Sequence, residues 1–300
     1  MRRHNGRLLW IDIVRGKLFS YDPETKENRD VHMKQLLGTV VPVDKELCVL
    51  AACKGVAVVN STTGEPVEFL GPNPEADSFS LRWNDGKCDP QGRLWVGSMD
   101  MQFGEPWVTQ EDGKPTPNAA LYCYEGSGDA LKITKKLDGV CISNGLVWNK
   151  AGDTFYYIDT PTMQVDAFDF DGATGEISNR RCAIKCPADD TAEFHGYPDG
   201  CTIADDDTIF ISCWAGSCVV RYNPTTGELM KKYSVPGSSQ VTSCAFGGPE
   251  LDQLYITTAS AGIDEAKWAA GQDEESAGHL FRLDLSSEGI KGVPSFSYKR

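Results

Sequence analysis

One strand-like run occurs six times along this chain of 300 residues, and no other feature restricts the possible folds as strongly. Each copy contains four to six mostly apolar residues. Consecutive copies begin roughly 40 to 60 residues apart, which is the repeat length of propeller blades. The copies lie at residues 8–13, 47–50, 94–97, 155–158, 209–212 and 254–257.

A second apolar run follows each copy, at residues 18–21, 56–59, 121–124, 165–168, 219–222 and 280–283. Four pairs lead into turns of similar composition, at residues 22–25, 62–65, 173–176 and 225–228. No long segment has the apolar spacing of an amphipathic helix. The sequence therefore predicts an all-β fold in which residues 1–300 form a single six-bladed β-propeller domain, in preference to a sandwich or two small barrels.

The innermost strand of each blade is expected about ten residues before the first run, and only five candidates are present. They lie at residues 37–40, 84–87, 143–146, 198–201 and 241–244. The partner of the run at 8–13 falls before Met1 by this spacing. We therefore expect the first blade to lack its innermost strand, and the domain to be truncated at its N-terminus.

The charge balance excludes several classes of partner. The chain has 29 Lys and Arg against 43 Asp and Glu, a net charge of −14, which disfavours nucleic acid and anionic lipid. It has no apolar stretch of about 20 residues to span a bilayer. The first residues have no apolar segment typical of a secretory signal. We expect a cytoplasmic monomer that acts on a small molecule.

Eleven cysteines, an odd number, are scattered along the chain, and many lie inside apolar runs. This pattern predicts buried free thiols. Cys182 and Cys186 lack the close Cys or His partners of a structural zinc site.

Polar residues occupy equivalent positions in three of the inner-strand candidates. Asn84, Asn144 and Asp199 are each followed by glycine, directly or after one residue. Side chains at matching positions of adjacent inner strands converge on one pocket. Their oxygen atoms suit a hard divalent cation such as Ca²⁺, Mg²⁺ or Mn²⁺. The alternative is that the Asn-Gly and Asp-Gly pairs are ordinary turns.

Other residues near these motifs have less specific interpretations. Arg82 either extends into the channel, where its guanidinium binds oxygen atoms, or lies on the surface. His195 is expected to face solvent. Two insertions without strand character, at residues 100–118 and 260–278, are of the kind that form lids, and the first is placed to cover a pocket.

Several motifs together resemble the family that contains regucalcin (senescence marker protein), gluconolactonases and the luciferin-regenerating enzyme. The matching segments span almost the whole chain and include residues 82–87, 142–146, 155–159, 197–200 and 241–248. The resemblance implies a lactonase with one divalent cation, which is Ca, Zn, Mn or Mg.

The same resemblance assigns roles to individual residues. Asn144 and Asp199 match metal ligands, and Arg82 and Asn84 match substrate contacts. Gln102 aligns with a further substrate contact that is acidic in relatives. The family's remaining metal ligand is a glutamate of the first inner strand, the strand that we expect to be absent.

These assignments lead to three alternative functions. The first is metal-dependent hydrolysis of sugar lactones, with Asp199 as general base and metal ligand. The second is calcium binding without catalysis, because a cation ligand is missing. The third is a protein-interaction ring, which leaves the polar positions unexplained.

Overall fold

The computed structural model describes residues 2–4, 6–75, 80–100, 117–187, 191–260 and 275–300. In these ranges the chain forms six antiparallel sheets, and its helical segments there are 3-10 turns of three residues. Each strand hydrogen-bonds to the next one along the chain within its sheet. The predicted fold class, an all-β six-bladed β-propeller, is therefore confirmed. No helix in the described ranges is long and apolar enough to cross a membrane.

The chain divides into two compact units. Unit 1 comprises Met1–Ser143, Asp171–Ile177 and Pro294–Arg300, and unit 2 comprises Asn144–Phe170 and Ser178–Val293. Each unit has its own buried apolar clusters, around Trp83 and Tyr122 in unit 1 and around Ile158 and Ile211 in unit 2. The single-domain assignment for residues 1–300 stays a prediction.

Three sheets belong to unit 1. The first contains β1 (Arg2–His4), β2 (Arg7–Asp12), β3 (Lys17–Tyr21) and β4 (Asn28–His32). The second contains β5 (Leu37–Pro42), β6 (Leu47–Ala52), β7 (Gly55–Asn60) and β8 (Pro66–Pro72). The third contains β9 (Leu81–Cys88), β10 (Leu94–Asp100), β11 (Ala119–Glu125) and β12 (Lys132–Val140).

Three sheets lie wholly or mostly in unit 2. The fourth contains β13 (Ser143–Trp148), β14 (Thr154–Asp159), β15 (Gln164–Asp171) and β16 (Glu176–Lys185). The fifth contains β17 (Tyr197–Ile203), β18 (Ile209–Trp214), β19 (Cys218–Asn223) and β20 (Glu228–Ser234). The sixth, as far as the structure describes it, contains β21 (Val241–Gly247), β22 (Gln253–Thr258) and β23 (Leu280–Asp284).

The first sheet has a first strand after all, so the prediction that its innermost strand is absent was wrong. β1 pairs with β2 from Arg2 opposite Leu9 to His4 opposite Arg7. Only two residues connect the strands, and Gly6 adopts the left-handed φ of +80° that such hairpins favour. β1 consists of Arg2, Arg3 and His4. A search for apolar runs misses this strand because none of its residues is apolar.

β-Bulges interrupt the first strands of four sheets at corresponding positions. In β5, β9 and β21 the residue skipped by the pairing is Gly38, Asn84 and Thr242 respectively. In β17, two residues, Asp199 and Gly200, lie opposite a single residue of β18, Ser212. A bulge bends the strand and redirects the side chain of its extra residue. Two of the predicted site residues, Asn84 and Asp199, therefore depart from the regular alternation of their strands.

The four similar turns share one hydrogen-bond arrangement. A side-chain oxygen accepts the N–H groups two and three residues further on, and it belongs to Asp22, Asn60, Asp171 or Asn223. Three of the turns place glycine at the left-handed position, with φ of +69° to +75°, at Gly64, Gly175 and Gly227. The first turn places Lys26 there, with φ of +61°.

All eleven cysteines are free thiols, as predicted. Cys182 is exposed, Cys53 and Cys141 are half-buried, and the other eight are buried. Burial raises the pKa of Cys48 to about 12.

Candidate functional site

Asn144 and Asp199 lie on the first strands of the fourth and fifth sheets, within unit 2. Asn144 is buried and Asp199 is half-buried. The Thr160 hydroxyl, directly after β14, joins the two positions. Asn144 Nδ2 donates to Thr160 Oγ1 over 2.6 Å, and Thr160 Oγ1 donates to Pro198 O over 2.7 Å. Because Pro198 precedes Asp199, one side chain links both predicted ligand positions.

The glycines after these residues permit close packing of the strands. A Cβ atom on Gly145 would lie 2.5 Å from Cys201 Sγ and 3.0 Å from Asp199 O. A Cβ atom on Gly200 would lie 2.5 Å from Ser243 Oγ. Both glycines lie inside strands and neither has a left-handed φ. The turn interpretation of these Asn-Gly and Asp-Gly pairs was therefore wrong.

Arg82 and Asn84 form a separate network in unit 1, on β9. Arg82 Nη1 donates to Trp83 O over 2.9 Å and to Asn84 Oδ1 over 2.8 Å. Asn84 Nδ2 donates to Ser143 O over 2.8 Å. Both side chains are half-buried. The guanidinium therefore holds the carboxamide of Asn84 in one orientation.

Gln102 lies outside the described residues, as does most of the first insertion. The two ends of that insertion are in contact, because Asn118 Nδ2 donates to Asp100 Oδ2 over 3.1 Å. Its role as a lid stays a prediction.

His195 is buried, with 5 % of its surface exposed, so the prediction that it faces solvent was wrong. Nδ1 lies 3.1 Å from Glu193 O, and because a carbonyl oxygen only accepts, Nδ1 carries the proton. Nε2 then accepts from Tyr222 OH over 3.2 Å. The adjacent Gly196, with φ of +107°, packs against Trp214 O at 2.7 Å from an added Cβ atom. No periodicity in the sequence indicates that His195 is buried.

Asn144 and Asp199 carry a carboxamide and a carboxylate, whose oxygen atoms are of the kind that hard cations prefer. Within the described ranges, no three His, Cys, Asp or Glu side chains are grouped closely enough to hold a metal ion. β1 supplies no glutamate, because its residues are Arg2, Arg3 and His4. The chemistry of these two side chains is compatible with a hard divalent cation.

The six sheets assign this protein to the class of six-bladed β-propellers, and the first strands of these sheets carry polar side chains. A family model described as the SMP-30/Gluconolactonase/LRE-like region matches residues 1–260. The chain belongs to this family, which confirms the resemblance found in its sequence motifs.

Relatives with similar sequences cover nearly the whole chain. The Bacillus subtilis (strain 168) protein YvrE, whose name assigns it provisionally to the sugar lactone lactonases, is 33 % identical over 290 residues, covering 97 % of this chain and 91 % of the relative. Regucalcin of Danio rerio is 34 % identical over 292 residues, covering 97 % and 90 %.

Solved structures support the same fold. A luciferin-regenerating enzyme aligns over 100 % of this chain and 94 % of its own, with a TM-score of 0.85 and 28 % identity. A regucalcin from Agrobacterium tumefaciens, described as a calcium-binding protein, aligns over 99 % and 90 % with a TM-score of 0.83. Its identity of 22 % supports the fold alone.

Proposed function

We propose that this protein hydrolyses sugar lactones with the help of one bound divalent cation. Asn144 and Asp199 are its cation ligands, and Arg82, Asn84 and Gln102 bind the substrate. The observation that carries the proposal is the Thr160 hydroxyl that joins Asn144 to the residue before Asp199, in a chain whose family includes gluconolactonases.

Lactone hydrolysis needs a polarised carbonyl group, an activated water molecule and a stabilised oxyanion. The cation supplies Lewis acidity for the carbonyl group and the oxyanion when it is bound. The Asp199 carboxylate accepts a proton from the attacking water, whose oxygen bonds to the carbonyl carbon. The ring C–O bond then breaks, and the same proton goes to the leaving ring oxygen, which yields the hydroxy acid. Arg82 donates N–H groups to substrate hydroxyls, and it keeps the Asn84 amide oriented.

Substitution of the base tests this function. Asp199→Asn is expected to lower kcat for gluconolactone about 10²- to 10⁴-fold, because the proton acceptor is lost. Hydrolysis is followed by acid release at constant pH, and thermal melts confirm that the variant folds. Asp205→Asn, at an exposed position in the same unit, is the control and should retain wild-type kcat. Wild-type turnover by Asp199→Asn would remove Asp199 from the mechanism.

Cation binding without turnover is a second candidate function. It is favoured by the composition of β1, which adds no carboxylate to the proposed ligands. Gluconolactone hydrolysis that stops on addition of EDTA and returns with Ca²⁺ or Mn²⁺ supports the lactonase. Calorimetric Ca²⁺ binding with no hydrolysis supports the second candidate instead.

We also propose that the protein is a cytoplasmic monomer that binds neither nucleic acid nor membranes. The net charge of −14 supports the absence of nucleic-acid and membrane binding, because it repels both polyanions and anionic lipid surfaces. Light scattering coupled to size-exclusion chromatography tests the monomer.

A further inference from the structure

The Thr160 side chain has a restricted hydrogen-bonding role. It is buried, with 5 % of its surface exposed, and it follows β14 at the start of a 3-10 turn. Its hydroxyl has one proton, and Pro198 O, at 2.7 Å, is a carbonyl oxygen that only accepts. The proton of Thr160 therefore points to Pro198 O, and the Asn144 atom 2.6 Å away must be a donor.

This direction determines how the Asn144 carboxamide is oriented. Its Nδ2 faces Thr160, so its Oδ1 lies on the opposite side of the group. The distinction matters because a carboxamide binds a cation only through oxygen, whereas its NH₂ group carries positively polarised hydrogens. Rotation of the group by 180° would exchange the two atoms and replace a ligand with a repulsive contact.

We propose that Thr160 is a positioning residue of the cation site, an inference that rests on the proposed function. It selects the orientation in which Asn144 presents Oδ1. Through Pro198 O it also couples the Asn144 side chain to the backbone that carries Asp199. Thr160 does not itself touch the substrate or the cation.

Calorimetry with CaCl₂ and with MnCl₂ tests the positioning role. Thr160→Val keeps the shape of the side chain and removes the hydroxyl, and it is expected to weaken cation affinity about 10- to 100-fold. Thr160→Ser restores the hydroxyl and should bind within about threefold of wild type. Thr208→Val is the control, because Thr208 is also buried in unit 2 but bonds to Asp206 and Arg221. It should lower the melting temperature and leave cation affinity unchanged.

A double-mutant cycle separates orientation from general stability. Asn144→Asp places an oxygen on both sides of the group, so its orientation no longer matters. The loss of affinity caused by Thr160→Val should therefore shrink to less than about threefold in the Asn144→Asp background. An equal loss in both backgrounds, or wild-type affinity of the single variant Thr160→Val, would overturn the inference.

The same titrations distinguish this inference from the proposed function. Wild-type protein that binds the cation but does not hydrolyse gluconolactone contradicts the lactonase and leaves the test of Thr160 intact. Wild-type protein that binds neither Ca²⁺ nor Mn²⁺ overturns the positioning role as well.

Discussion

At the scale of single residues, Arg82 acts mainly on its neighbour. Its Nη1 bonds to Asn84 Oδ1, so the removal of the guanidinium takes away both the proposed donor to substrate and the restraint on Asn84. Arg82→Ala is expected to raise KM about tenfold while kcat changes less than about threefold, because substrate grip is lost and the base remains. Steady-state kinetics with gluconolactone measure both constants. An unchanged KM would show that Arg82 does not bind the substrate.

His195 predicts a dependence of stability on pH. Burial lowers its pKa most; the bond to Glu193 O opposes this, and the positive charge of Lys232 adds to the lowering. Tyr222 and Cys218 also face the residue, at Nε2 and at the backbone carbonyl. As pH falls below about 6.5, the unfolded chain takes up a proton that the folded chain resists. The free energy of unfolding should therefore decrease as pH falls through this window, until the folded pKa is passed.

The measurement compares thermal melts at pH 7.5 and pH 5.5. His195→Gln removes the titrating group and should lose less stability over this interval than wild type does. His32→Gln is the control variant, because it removes an imidazole from an exposed position on β4. Equal losses in wild type and His195→Gln would contradict the assignment.

The sequence indicated some of the residues discussed above and not others, for a physical reason. Asn144 and Asp199 were predictable because each occupies the same position in its repeat as its counterpart. Thr160 and His195 have no repeated counterpart. Apart from Glu193, which lies two residues before His195 in the chain, the hydrogen-bond partners of their side chains lie 16 to 38 residues away. Their contacts follow only from the packing of separate strands.

At the scale of elements, the four repeated turns differ at one position. Lys26 occupies the left-handed position that glycine occupies in the other three turns. Such a φ strains any residue with a Cβ atom. Lys26→Gly is expected to stabilise the protein by about 0.5 to 1 kcal/mol and to raise the melting temperature by about 1 to 4 °C.

Gly227→Ala is the complementary change, at the same position of another turn. With φ of +75° and Ala183 O only 3.3 Å from the added Cβ atom, it should destabilise the protein by about 1 kcal/mol or more. Thermal melts of both variants are the test. A lower melting temperature for Lys26→Gly would contradict this expectation. It would show that the Lys26 side chain stabilises the folded protein by more than its backbone strain destabilises it.

Strands and turns were predictable to different degrees. The repeated apolar runs coincide with β2, β6, β10, β14, β18 and β22 because, taken together, most residues of these strands are buried. β1 was not predictable from apolarity. The bulges were not predictable either, because an extra residue such as Thr242 leaves the composition of its strand unchanged.

At the scale of the whole molecule, six repeats of one period sufficed to predict the fold class. The function was harder to predict. It depends on the orientation of single polar side chains, some of them at the β-bulges of the first strands. The net charge of −14 restricts the partners without identifying a substrate.

The free thiols have a consequence for how unfolding can be observed. Buried cysteines occur in β6, β9, β11, β17, β18, β19 and β21, in four of the six sheets. A thiol that is shielded from solvent reacts with an alkylating reagent only after its sheet opens. In native protein, Cys182 should label first and the eight buried thiols should stay unmodified.

Pulsed alkylation during dilution into denaturant, read out by peptide mass spectrometry, would then give each of these sheets its own opening rate. Simultaneous labelling of Cys48 in β6 and Cys244 in β21 would mean that the molecule unfolds as one cooperative body, and successive labelling would reveal the order in which its blades separate.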